Sequence, residues 1–183
     1  MPIAHYMTAC LQDPEHGYYR AKRAIGAAGD FVTAPEISQV FGELVGLWCA
    51  VVWQQMGSPA RFNLVELGPG RGTAMADALR AGRLVPGFLE AARVVLVESN
   101  ATLRAEQAAT LGRAAPGVSP TWIDGFADLP AEHPVIIIAN EFVDTFAVDQ
   151  VEIDGTRARP RKVGLDADGR LCFLPRPSGA DPA

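Results

Sequence analysis

Apolar positions along this chain follow two rhythms. One is the short continuous run. Phe62-Asn-Leu-Val-Glu-Leu67 predicts a buried strand, and it breaks into Gly68, Gly70 and Gly72 before a helical pattern from Thr73 to about Arg80. Arg93 to Val97 and Val135 to Ala139 predict two more buried strands, and Ser119 to Ile123 a weaker one. The other rhythm is helical. Ile37, Val40, Phe41, Leu44, Trp48, Val51 and Val52 predict one long helix that buries this face against a sheet. Thr33 and Glu36 have the spacing of a capping box, Pro35 sits in the first turn, and Gly57 is placed to end the helix. Ser99 is the expected N-cap of a helix to Leu111, closed by Gly112, and Tyr6 to Gln12 predicts a short helix stopped before Pro14. Strands alternating with helices define an α/β domain with a parallel sheet. After Asp144 the pattern changes. Gln150 to Arg157 and Leu165 to Leu171 predict antiparallel hairpins, with Asp154 and Asp168 as turn residues before glycines. Residues 175–183 form a Pro-rich tail expected to fray.

The chemistry gathers at the ends of the parallel strands. In an open parallel sheet ligands bind beyond the carboxyl ends of the strands. Here those ends carry Glu66, Glu98 with Ser99, Asp124 with Gly125, and Asn140 with Glu141. The glycines allow positive φ and leave bare backbone for a ligand to lie against. Glu66 stands just before the turn, where its carboxylate is expected to face that ligand. Three ligands compete for such a loop. A dinucleotide asks for G-x-G-x-x-G, whereas this chain has Gly-Pro-Gly-Arg-Gly. A Walker loop is excluded, because no Gly-Lys-Ser/Thr follows. The compact spacing after Glu66 fits the first motif of class I S-adenosylmethionine-dependent methyltransferases. That ligand carries no phosphate, so acids and backbone must recognise it. Glu98 suits the ribose, Asp124 the adenine amine, and the loop with Thr73 the methionine part.

Composition narrows the partners. A net charge of -5 argues against nucleic acid and is compatible with a cationic ligand or basic peptide. Cys10, Cys49 and Cys172 form no CxxC, so a reducing compartment is expected. His5, His16 and His133 lack metal-ligand spacing, and no metal is expected. No secretory pattern opens the sequence, and the apolar stretch Leu44 to Val52 is too short to span a bilayer. A bacterial cytoplasm is the expected location, or the mitochondrion for a eukaryotic chain.

Five motifs in order then give a more specific resemblance. They are Asp13-Pro-Glu-His-Gly-Tyr-Tyr19, the run Gly29 to Glu43, Val65 to Thr73, Leu96-Val-Glu-Ser99 and Ala139-Asn-Glu-Phe-Val-Asp144. Together they resemble the MidA-like methyltransferase family, which includes the mitochondrial complex I assembly methyltransferase and bacterial relatives. The resemblance implies a Rossmann-like class I methyltransferase sheet, S-adenosyl-L-methionine as donor, and an arginine of a protein, such as a complex I subunit, as acceptor. It divides the chain into a helical segment covering the cofactor site (1–60), a cofactor-binding core (61–147), a hairpin insertion (148–174) and the tail. Glu141, Asp144 and Glu36 are the candidates to clamp a guanidinium, with Asn140 shaping the strand end. After Asp144 the family's Ala-Leu-Pro-like turn is replaced by Thr145-Phe-Ala147. Relatives are about twice as long, so the resemblance covers only the first half of the family. An incomplete sheet with an exposed apolar edge is therefore expected, and a catalytically incompetent fragment or interaction protein is the competing reading.

Overall fold

The computed structural model describes residues 1–18 and 34–174. The expectations for Tyr19, for Gly29 to Thr33 including the Thr33 cap, and for the tail lie outside the described residues. In chain order the elements are α1 (Ile3–Gln12), α2 (Ala34–Ile37), α3 (Gln39–Gln55), β1 (Phe62–Leu67), α4 (Thr73–Gly82), α5 (Phe88–Ala91), β2 (Ala92–Val97), α6 (Ala101–Ala114) and β3 (Thr121–Ile123). There follow β4 (Val135–Ile138), β5 (Val151–Asp154), β6 (Arg157–Pro160), β7 (Val163–Leu165) and β8 (Leu171–Phe173). The chain divides into two compact units, 23–143 and 1–22 with 144–183.

The larger unit holds a four-stranded parallel sheet in the order β3-β2-β1-β4. Strand order reverses on either side of β1, which creates a switch point at its carboxyl end. All six residues of β1 are buried, as its unbroken apolar run requires of a central parallel strand. Alternation sends Phe62, Leu64 and Glu66 to one face, and Asn63, Val65 and Leu67 to the other. On the first face Phe62 and Leu64 meet Leu96, Ile136 and Ile138 beneath α3 and α4. Phe62 also anchors an aromatic group, 5.3 Å from Phe88 and 6.3 Å from Trp53 between ring centroids. The other face packs Val65, Leu67, Val95 and Val97 against Ile123, Leu129 and Phe142. Asn63 is buried there, its side-chain nitrogen donating to the Pro130 carbonyl at 3.1 Å while its Oδ1 has no hydrogen-bond partner.

The long helix departs from its expected form in two ways. It is broken at Ser38, whose extended backbone (φ -147°, ψ 119°) separates α2 from α3. It also buries the opposite stripe. Gly42, Gly46, Cys49, Ala50 and Trp53 face inward, while Ile37, Val40, Leu44, Trp48 and Val51 are exposed. Only Phe41 and Val52 of the expected face are half-buried. The cause is the close approach of α4. A Cβ on Gly46 would lie 2.4 Å from the Ala78 carbonyl oxygen, and one on Gly42 2.6 Å from the Asp77 Cβ. Two backbones that close exclude large side chains from between them. Gly57 does end α3, in the left-handed conformation at φ 86°.

β4 lies at the edge of the four-stranded sheet, and on the face away from α3 its Val135 and Ile137 are exposed. This matches the expected apolar edge. In the other unit, β5 pairs antiparallel with β6 and β7 with β8, as the Asp-Gly turns predict. Pro2 bridges to Lys162, and the amino terminus donates to the Val163 carbonyl at 2.6 Å. Arg161 stacks over Phe173 at 3.9 Å. No described helix is long and apolar enough to cross a membrane.

Candidate functional site

The glycine loop follows β1 at the switch point. Gly68, Gly70 and Gly72 all take positive φ, at 61°, 54° and 80°. The Gly72 N–H closes the turn by donating to the Pro69 carbonyl at 2.7 Å. Gly72 has a second reason to lack a side chain: a Cβ there would meet Leu111 at 2.9 Å and Gln107 Cα at 3.3 Å. α6 thus packs directly on the loop.

Glu66 lies beneath this loop and is only 3% exposed. Strand alternation points it at the helical layer, where it accepts a hydrogen bond from the Met75 N–H. That N–H belongs to the first turn of α4, whose amides have no partner within the helix. Burial pushes the Glu66 carboxyl up to about 7, the Met75 bond opposing the rise. Nearby, burial pushes the Cys49 thiol up to about 12, and the Glu66 charge adds to it. Glu66 therefore props the loop from below. Its Oε2 is buried without a hydrogen-bond partner, so the site carries a carboxylate oxygen still to be satisfied.

Glu98 stands half-buried at the end of β2. Its Oε1 accepts the Asn100 N–H at 2.8 Å, and its Oε2 lies 3.5 Å from the Gln107 side-chain nitrogen. Ser99, the expected cap of α6, is exposed and makes no cap. Asn100 is the cap, its Oδ1 accepting from the Thr102 and Leu103 amides at 2.9 and 3.3 Å. The helix also runs through Gly112, where a Cβ would meet nothing, so that glycine does not close it. Asp124 is exposed at the end of β3 and takes the Arg104 guanidinium at 2.5 Å. Arg104 also donates to the Glu98 carbonyl at 2.6 Å, strapping the ends of β2 and β3 together. Gly125 opens a short 3-10 turn, its N–H donating to Asp128 at 3.2 Å.

Glu36 and Thr73 meet at the loop: the Thr73 hydroxyl donates to Glu36 Oε1 at 3.1 Å. Arg71 lies 3.8 Å from the same carboxylate and 3.7 Å from Glu106. Glu36 is thus engaged beside the loop rather than held free. Asn140 and Glu141 follow β4 in the same unit, Glu141 exposed at φ 47°, a left-handed conformation unusual for a residue with a Cβ. Asp144 begins the other unit.

Two residues escape the sequence reading, Arg104 and Gln107. Gln107 is fully buried and bonded to the Gly70 carbonyl at 2.7 Å and to the Trp122 indole at 2.8 Å. A signal existed, since Gln107 shares a helical face with Leu111 at i, i+4. A polar residue on a helix face turned to the sheet must be satisfied by something specific.

Glycines at positive φ, an unsatisfied buried carboxylate oxygen beneath them, and acids at successive strand ends form a site for a ligand recognised by backbone and carboxylates. The donor set fits S-adenosyl-L-methionine, which the loop and Glu98 could hold. The fold is that of a Rossmann-like class I methyltransferase. Comparison with known proteins agrees. A profile of the family described as "Putative S-adenosyl-L-methionine-dependent methyltransferase" matches residues 44–182, and the chain belongs to this family. The chain is 36% identical to the mitochondrial protein arginine methyltransferase NDUFAF7 homolog of Drosophila melanogaster, over 85% of this chain and 39% of that protein. It is 35% identical to the mitochondrial protein arginine methyltransferase NDUFAF7 of Homo sapiens, over 99% of this chain and 46% of that protein. Among solved structures, a methyl transferase candidate from Burkholderia thailandensis, bound to S-adenosyl-homocysteine, superposes with a TM-score of 0.70 and 29% identity. That alignment covers 99% of this chain and 46% of the other. The chain therefore spans less than half the length of these relatives.

Proposed function

We propose that this chain binds S-adenosyl-L-methionine at the glycine loop and contributes that site to a protein-arginine N-methyltransferase. The observation that carries the reading is the left-handed glycine loop set over Glu66, with a buried carboxylate oxygen left unsatisfied. A relative named as a protein arginine methyltransferase supports the acceptor class, and a subunit of respiratory complex I is the proposed substrate.

The bound cofactor supplies an electrophilic methyl group on a sulfonium. The chain's residues supply position. An arginine guanidinium keeps its proton at neutral pH and is a poor nucleophile while its charge is delocalised. Carboxylates hold it by paired hydrogen bonds and draw charge toward the nitrogens that do not attack. Glu141 is the proposed carboxylate of the larger unit, with Asn140 shaping the strand end and Asp144 and Glu36 as further candidates for the clamp. Holding one nitrogen in line with the methyl carbon is then most of the catalysis.

Titration calorimetry with S-adenosyl-L-methionine tests the cofactor half. Wild type is expected to bind, and Glu98→Ala to bind at least tenfold more weakly. A folded wild-type chain that gives no heat of binding refutes the reading. Methyl transfer to an arginine peptide tests the rest. Binding without transfer favours the competing reading of a catalytically incompetent binding fragment.

Glu141 gives a separate expectation. Its left-handed backbone costs about 1 kcal/mol in a residue with a Cβ, and glycine removes that cost. Glu141→Gly is expected to raise the unfolding free energy by up to about 1 kcal/mol in a denaturant titration while abolishing transfer to the peptide. A variant less stable than wild type would mean that the Glu141 side chain supports the fold.

A further inference from the structure

We infer that Gln107 is a positioning residue, which fixes the glycine loop and turns the second oxygen of Glu98 toward its ligand. Its side chain lies at the meeting point of three elements and is fully buried. The carboxamide makes three contacts, and their directions leave one arrangement. An indole N–H can only donate, so the oxygen of Gln107 must face Trp122, at 2.8 Å. The side-chain nitrogen must then face the other way. There it donates to the Gly70 carbonyl at 2.7 Å and lies 3.5 Å from Glu98 Oε2. Trp122 thereby sets the orientation of the amide, and the amide sets the loop and the carboxylate.

The loop needs such a tie. Its residues take left-handed conformations, and glycine has the largest backbone freedom to lose. The Gly72 turn bond holds one side of the loop, and the Gln107 amide holds the Gly70 carbonyl. α6 itself is firmly seated, because Leu111 is fully buried and lies against the space a Gly72 Cβ would fill. Pre-organised backbone and carboxylate lower the ordering cost of binding, so the tie should be felt in affinity as well as in mobility. The affinity part rests on the proposal that the cofactor binds here; the mobility part does not.

Two variants separate this role from simple filling of space. Gln107→Glu keeps an acceptor for Trp122 and removes the donor to Gly70. Gln107→Met keeps the length of the side chain and removes both bonds. Amide hydrogen exchange of the ligand-free chain reads the loop, and calorimetry with S-adenosyl-homocysteine reads the site. In both variants exchange at Gly70 to Thr73 is expected to quicken at least tenfold, with the last turn of α4 unchanged. Affinity for S-adenosyl-homocysteine should fall at least tenfold. Loop exchange at the wild-type rate in either variant overturns the inference, as does faster exchange spread evenly over α4 and α6. If the wild-type chain binds no S-adenosyl-homocysteine but the loop loosens as expected, the cofactor reading fails and the positioning role stands. Should both variants fail to fold, Trp122→Phe carries the test. It removes the indole donor, with some ring volume, and frees the amide to rotate, so loosening confined to the loop is expected and its absence refutes the role.

Discussion

Gly46→Ala is expected to destabilise the chain by about 3 kcal/mol, whereas Trp48→Gln should change stability by no more than about 0.5 kcal/mol. The order runs against residue size, and the packing explains it. In an isolated helix alanine is favoured over glycine by about 1 kcal/mol. At Gly46 that gain is outweighed. The added methyl would lie 2.4 Å from the Ala78 carbonyl oxygen and 2.5 Å from its Cα, and both are backbone atoms of a buried helix. Neither can rotate away, so α3 and α4 must separate. Separation loosens Cys49, Ala50 and Trp53 from the core beneath them. Trp48 is 57% exposed on the opposite stripe, so a polar replacement gives up little buried area. For a chain of this size about 3 kcal/mol lowers the melting temperature by roughly 6–12 °C. Thermal unfolding of the two single variants decides the matter. A larger loss from Trp48→Gln than from Gly46→Ala would mean that the outer stripe of α3 is the buried one.

The same pair of residues shows where sequence reading reaches its limit. β1 and β4 are legible because a parallel strand covered on both faces needs a continuous apolar run. α3 is legible as a helix, but it carries two stripes suited to burial. One is large, from Val40 to Val51, and the other is small, built on Gly42, Gly46, Cys49 and Ala50. Periodicity locates both and cannot choose between them. The choice depends on the partner helix, and α4 offers Ala74 and Ala78, small residues that let the backbones approach. The glycine loop and the strand-end acids were legible because their chemistry is local to a strand end. The Asn100 cap was misplaced by one residue because Ser99 and Asn100 are both good caps, and only the path of the chain selects one. Gln107 and Arg104 were not legible as site residues. Their partners Gly70, Trp122 and Asp124 are distant in sequence, and only the folded sheet brings them together.

Raising the pH from 4 to 8 is expected to weaken the ligand-free fold by about 3 kcal/mol through Glu66 alone, and Glu66→Gln should remove that dependence. Burial raises this carboxyl from its ordinary 4.5 to about 7 in the folded chain. Below pH 4.5 the group is protonated in both states and costs nothing. Between 4.5 and 7 the folded chain keeps a proton that the unfolded chain has released, so each rise in pH favours unfolding. Above 7 both states are ionised and the full cost of the buried charge is present, about 3 kcal/mol for a rise of this size. Asp77, also raised by burial, acts in the same direction, so wild type alone does not isolate Glu66. The difference between wild type and Glu66→Gln does. The neutral amide keeps an oxygen for the Met75 N–H and has no charge to bury. The two proteins should therefore unfold alike near pH 4, with the variant the more stable at pH 8. Parallel pH curves for the two would show that Glu66 is not the titrating group. A ligand that places positive charge near the unsatisfied Oε2 favours the ionised carboxylate. If the loop holds S-adenosyl-L-methionine with its positive charge near Glu66, saturating cofactor should flatten the wild-type curve and leave the variant's shape unchanged.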